Sequence, residues 1–171
     1  MPKVSTKKDK KPFQLIREEL GLSREEASEL LVTISADRLE KIENDRALPY
    51  PDEILTMASA YKAPDLYNYY CSQVCPIGIQ YVPEIKPKEL PQIILETLAS
   101  LNELNKKKDR LVEISADGEI SDCELDDFVR IQDGLEKISI SVETLQLWAE
   151  KMLATGVIDA KKYEERKKIL K

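Results

Sequence analysis

Proline divides this chain. All nine prolines lie at or before Pro91, and the last 80 residues contain none. Each proline removes a backbone donor and disfavours helix in the residue before it, so proline-rich segments are broken and proline-free ones can run as long helices. The densest stretch, Pro76 to Pro91 (PIGIQYVPEIKPKELP), holds four of the nine and predicts an extended linker. This places a domain boundary there and divides the chain into four parts: a basic, disordered arm over 1–11, a first domain over 12–75, the linker over 76–91 and a second domain over 92–171. A length of 171 residues accommodates two small domains.

The composition excludes several chemistries. With no His, a Ser-His-Asp triad, a Cys-His pair and a His-ligated catalytic zinc are ruled out. Five Gly form no Gly-rich phosphate loop of either common type. An enzyme is therefore not expected, and neither is a cofactor or a resident metal. No apolar run approaches the roughly 20 residues a bilayer requires. The first residues are basic and polar with no apolar core behind them, so no secretory signal is expected. Three Cys without framework spacing fit a reducing, cytoplasmic compartment. A net charge of −6 argues against coating nucleic acid by bulk charge, but leaves room for a small local DNA-binding surface.

Residues 12–75 read as five short helices. The first runs from about Pro12 to Leu20, with Pro in the first turn and Gly21 as its left-handed stop. The second opens at Ser23, which forms a capping box with Glu26. The third runs from about Ser35 to Asn44. The fourth starts at Pro51 with Asp52 and Glu53 in its first turn, where the helix dipole favours negative charge. The fifth runs from about Pro64 to Cys75. The close spacing of the second and third describes a helix-turn-helix.

After the linker the period changes. Leu90, Ile94, Thr97, Leu101, Leu104, Lys108 and Leu111 alternate spacings of four and three, with Thr97 and Lys108 as polar interruptions. Phe128, Ile131, Leu135, Ile138, Val142, Leu145, Ala149 and Met152 follow the same order without a polar gap, a strong heptad signal. Gly134 within it costs about 1 kcal/mol relative to Ala. Between the seams, Gly118 and a second capping box, Ser121 with Glu124, mark a turn. The expected shape is a long antiparallel helical hairpin, coiled-coil-like, ending near Gly156 and followed by a short charged helix. No strand is predicted, so the fold class is all-α. A two-helix hairpin buries one stripe per helix and needs another layer. A second copy would supply it, through Ile94, Leu101, Leu104, Phe128, Ile131, Leu135, Ile138, Val142 and Leu145.

The first domain resembles a known family. Ile16 to Glu26 (IREELGLSREE) is similar to the opening of the Cro/repressor-type, or xenobiotic-response-element, DNA-binding domain. Leu39 to Asn44 (LEKIEN) is similar to the end of its recognition helix, and Pro49 to Ala60 to its Pro-led fourth helix, with Ile54, Leu55 and Met57 facing the core. The resemblance covers roughly residues 12–70. It implies a DNA-binding regulator whose third helix enters the major groove while the second crosses the backbone. By position it implies a phosphate contact for Arg24, a groove-facing start of helix three at Ser35, Ala36, Asp37 and Arg38, and Lys41 one turn along. Arg38 is the expected base reader, since Arg can bond a guanine edge with two donors. Arg46 would meet phosphate, and Leu39 and Ile42 would be core. The family's turn has a small residue and then Gly. Here Ser28 and Val32 or Thr33 stand at those places with one residue inserted, so the turn is expected to take another path, because β-branched residues resist left-handed conformations.

Other features have simpler readings. Cys71 and Cys75 share a helix face and could make half of a metal site or a redox pair, but as buried free thiols they need neither role. Glu113 to Glu124 resembles part of a calcium-binding loop, although it starts on Glu rather than Asp, and a capped turn accounts for its Gly118, Ser121 and Glu124 equally. The expected protein is a homodimeric, cytoplasmic regulator binding double-stranded DNA, without membrane attachment. The alternative is a protein-interaction adaptor that uses the same scaffold without DNA. That alternative gains from the charge of residues 1–70, with 11 Lys and Arg against 13 Asp and Glu.

Overall fold

The computed structural model describes residues 10–170, and among these residues every regular element is a helix. The chain forms two compact units, Met1–Glu84 with Glu150–Lys171, and Ile85–Ala149. The last residues therefore belong with the first unit rather than with the hairpin expected to hold them. One tie is visible: Lys151 Nζ bonds Asp65 Oδ2 at 2.6 Å. Most of the expected arm over 1–11 lies outside the described residues. Of its last two, Lys10 pairs with Glu18 at 2.6 Å and Lys11 with Asp45 at 3.2 Å.

The first unit is built from α1 (Pro12–Glu19), α2 (Arg24–Leu31), α3 (Ala36–Glu43), α4 (Pro51–Ala60), α5 (Asp65–Gln73) and α6 (Gly78–Tyr81). Pro12 starts α1, and Gly21 at φ +72 ends its turn, the Leu22 N–H closing back on the Arg17 carbonyl. α1 to α5 share one core: Phe13 from α1; Ala27 and Leu31 from α2; Leu39 and Ile42 from α3; Ile54, Met57 and Ala58 from α4 with Tyr61 at its cap; and Leu66 from α5. Burying each large apolar side chain is worth about 1.5–3 kcal/mol. Leu55, expected in the core, is exposed, because the stripe continues through Ala58 and Tyr61 and turns position 55 outward.

The proline-rich segment departs from the expected extended linker. Residues 78–81 form one helical turn, α6, lying so close to α5 that a Cβ on Gly78 would sit 2.0 Å from the Cys71 carbonyl oxygen. Only Gly fits there. Asn68 Nδ2 then holds the Pro83 carbonyl at 2.9 Å, and helix resumes at Leu90 with Pro91 in its first turn.

The second unit contains α7 (Leu90–Lys106), α8 (Lys108–Ile114) and most of α9 (Leu125–Ala154). Lys107, at φ −101 and ψ 0, separates α7 from α8. In the connecting turn Gly118 has φ +77, and the Glu124 carboxylate accepts the Ser121 N–H and hydroxyl. Arg110 Nε to Asp127 Oδ2 at 2.8 Å and Lys107 Nζ to the Arg130 carbonyl at 3.3 Å set α8 antiparallel to the start of α9.

The heptad residues divide between inside and outside. Ile131 is buried and Leu104, Phe128, Ile138 and Leu145 are half-buried, but Ile94, Leu101, Leu135 and Val142 are exposed. In their place Ile93, Ser100, Ser141 and Thr144 turn inward. Small polar residues are tolerated there because their hydroxyls bond the preceding turn: Thr97 to the Ile93 carbonyl, Ser141 to Lys137 and Thr144 to Ile140, at 2.6–2.9 Å. A groove lined by Glu96, Ser100, Lys137 and Ser141 opens on one side of the pair. With about 3.6 residues per turn, Ile94, Leu98, Leu101, Leu135 and Val142 fall on the opposite side.

Candidate nucleic-acid interface

The α2–α3 pair is held by its caps. The Ser23 hydroxyl accepts the Glu26 N–H at 3.1 Å, and the Glu26 carboxylate accepts the Ser23 N–H at 2.7 Å, completing the expected capping box. The Ser23 N–H, and after it the Ser23 hydroxyl, hold the Glu26 carboxyl below the usual carboxylate range. The Ser35 hydroxyl accepts the Arg38 N–H at 3.2 Å and starts α3. Asp37 sits in the first turn, where the dipole suits it.

The joint between them takes an uncommon path. Val32 has φ +61 and ψ −47, and the Thr33 N–H reaches back to the Leu31 carbonyl at 2.6 Å. That is a γ-turn of the rarer, positive-φ kind. The turn thus avoids the left-handed helical well, as expected, yet still places a β-branched residue at positive φ. Val32 is 85% exposed, so no packing compensates the strain.

Three ion pairs, at its two ends, orient α3. Glu43, only 1% exposed, takes Arg17 Nε at 2.6 Å and Nη2 at 2.9 Å, and Arg24 Nε at 2.8 Å. This joins α1, α2 and the end of α3 under the core. At the other end of α3, Arg38 gives Glu53 two bonds of 2.7 and 2.8 Å and the Leu48 carbonyl a third of 2.9 Å, while its guanidinium lies 4.7 Å from the Tyr50 ring centre. Burial raises the Glu53 carboxyl, but the Arg38 bonds, the Tyr50 N–H and the Arg38 charge outweigh it and hold it below the usual range.

The expected contact residues therefore separate into two groups. Ser35, Asp37, Lys41 and Arg46 are exposed, and Ala36 is half-buried among them. Arg38, expected to read bases, is spent on Glu53, Leu48 and Tyr50, because its position on α3 places it within reach of the start of α4. Arg24, expected on phosphate, spans both roles: Glu43 holds its Nε, while its side chain remains 31% exposed. Arg46 lies 3.4 Å from Glu40. Around them the exposed face of α2 carries Glu25, Glu26 and Glu29.

Sequence alone assigns no pairing role to Glu43 or Arg17, and reads Glu53 only as a first-turn acid of the fourth helix. A signal existed for the first two. Arg17 lies four residues after Phe13, and Glu43 four after Leu39, each on the apolar stripe of its helix. Opposite charges on two buried stripes announce a buried pair.

Capped helices of eight residues each, joined by a tight turn and clamped to α1 and α4, define the first unit as a helix-turn-helix domain. Residues 13–66 match the helix-turn-helix domain family, a span of about a third of the chain. No curated protein matches the chain, and no solved structure does. No helix among the described residues is long and apolar enough to cross a membrane.

Proposed function

We propose that this chain is a sequence-specific regulator of the Cro/repressor type that binds double-stranded DNA as a homodimer in the cytoplasm and acts by occupying its operator, not by catalysis. One observation carries the reading: a helix-turn-helix domain whose third helix leaves Ser35, Asp37 and Lys41 uncovered. With α3 in the major groove, Ser35, Ala36, Asp37 and Lys41 face base edges, and Asp37 suits the amino group of cytosine. Arg46 and the exposed part of Arg24 face phosphate. Arg38 positions α3 and does not read guanine. The homodimer is supported by the apolar side of the second unit, Ile94, Leu98, Leu101, Leu135 and Val142, which nothing in the chain's own hairpin covers. Two copies joined there would present paired reading helices to a two-fold symmetric site.

The test is selection from a random duplex library at low and moderate salt, followed by sequencing of the bound fraction. Recovery of a paired half-site is the expected result. Absence of both enrichment and salt-sensitive binding would overturn the reading.

A second reading has its own observation. Arg24 and Arg38 are engaged by Glu43 and Glu53, and the α2 face is acidic. This favours a protein-interaction adaptor built on the same helices. Salt separates the two, since binding through several phosphates weakens steeply with added salt.

A further inference from the structure

Duplex affinity rests largely on phosphate neutralisation, and the reading domain has few cations to offer. Arg17 is buried on Glu43, Arg24 and Arg38 are paired, and Arg46 lies beside Glu40. Lys41 is exposed on α3, and beyond it the densest run of cations among the described residues of the same compact unit lies on α10 (Ala160–Ile169). Lys161, Lys162, Arg166, Lys167 and Lys168 stand there against Glu164 and Glu165. Every residue from 159 to 170 is exposed. Among the described residues the cations of α10 form a single loose ion pair, Lys162 to Asp159 at 3.9 Å, and one approach to a ring, Lys167 at 5.9 Å from that of Tyr163.

Packing does not account for such a helix, and ten residues alone are marginal in water. Its support is local: the Asp159 carboxylate caps the Lys162 N–H at 3.1 Å, and Glu164 precedes Lys168 by one turn. The segment that carries it belongs to the same compact unit as α3, tied there through the last turns of α9. Lys151 holds Asp65, and Gly156 at φ +78 turns the chain out of α9.

We propose that α10 is a second DNA contact, a sequence-independent grip on the phosphate backbone that supplies the charge the reading helix lacks. This rests on the DNA-binding reading and adds a division of labour, with α3 setting preference and α10 setting affinity. The composition of α10 selects this occupant. A helix lying on a membrane needs an apolar face opposite its charges. A helix docking in a protein groove needs apolar anchors at spacings of three, four and seven. Tyr163 and the cap residue Leu170, seven apart, make a single pair of anchors with no large apolar residue between them on that face, Ile169 falls on another face, and the cations lie all round. Phosphates need only the cations.

The test compares the full chain with a variant carrying K161Q, K162Q, R166Q, K167Q and K168Q. Both are titrated onto a random-sequence duplex and onto the duplex recovered by selection, across a salt series. The slope of log affinity against log salt is expected to become shallower by about 0.9 for each phosphate that α10 no longer neutralises, about two to four in all. Affinity at low salt falls at least about tenfold for both duplexes, and the ratio between them stays unchanged. The thermal midpoint is unchanged, since α10 buries nothing. Replacing the four lysines with Arg keeps the wild-type slope; a shallower slope in that variant overturns the proposal. A wild-type slope in the Gln variant overturns it too, with the DNA reading intact, and so does a change confined to sequence preference. A wild-type chain that binds no duplex at low salt overturns both.

Discussion

Glu43 ties the helix-turn-helix domain together through a single carboxylate. It neutralises two guanidiniums from two helices while almost wholly removed from water. Removing one partner of a buried pair strands the other without solvent, which costs about 3–5 kcal/mol. Glu43→Gln keeps the volume and removes the charge, so urea denaturation should show a loss of about 3 kcal/mol or more. A loss under about 1 kcal/mol would mean that water reaches Arg17. Val32 presents the opposite case, a residue whose side chain harms its own position. With φ +61 and the side chain in solvent, Val32→Gly should raise stability by about 1 kcal/mol at an unchanged denaturant slope. Val32→Ala, which keeps a Cβ, should gain little. Equal gains from both would point away from backbone strain.

Among the elements, α3 is oriented by what it ties itself to rather than by what it exposes. Its far end is fixed by Glu43 and its near end by the Arg38–Glu53 pair on α4. The second clamp responds to pH. The folded Glu53 carboxyl titrates below its ordinary value, so its contribution is complete above the unfolded value of about 4.3. That contribution is lost as pH falls through the folded value. Wild type should therefore lose stability faster than Glu53→Gln as pH falls below about 4.3, because the variant has no carboxylate to protonate. Parallel stability curves for the two proteins would show that Arg38 does not depress this group. The capping boxes, the stop at Gly21 and the proline starts were all legible along the chain, because each depends on residues within one turn. The Arg17–Glu43 and Arg38–Glu53 pairs join residues 26 and 15 apart and appear only when the helices pack.

For the whole molecule, the apolar stripe of the second unit is its most consequential surface. Leu135 and Val142 are 45% and 43% exposed, so Asp at both positions costs the isolated hairpin little. If that side is the dimer interface, the double variant should halve the mass seen by light scattering while the helical circular dichroism signal persists. A mass equal to that of wild type would remove the interface from this face. The first unit presents the complementary problem: α3 offers few unpaired cations, while a fully exposed basic helix, α10, belongs to the same compact unit.

Proline placement, helical period and caps by themselves determined an all-α chain with only short helices in its first half and its long helices in the second. They also located the second helix of the helix-turn-helix pair, α3, and its core residues Leu39 and Ile42. Only the tertiary structure decided which arginines remain free and which half of each heptad faces inward. It also decided that residues 78–81 curl onto α5 rather than extend. The physical reason is the same in each case. Period and capping are set by neighbours along the chain, whereas the rotation of a helix about its axis and the partner of a charge are set by whatever packs against it.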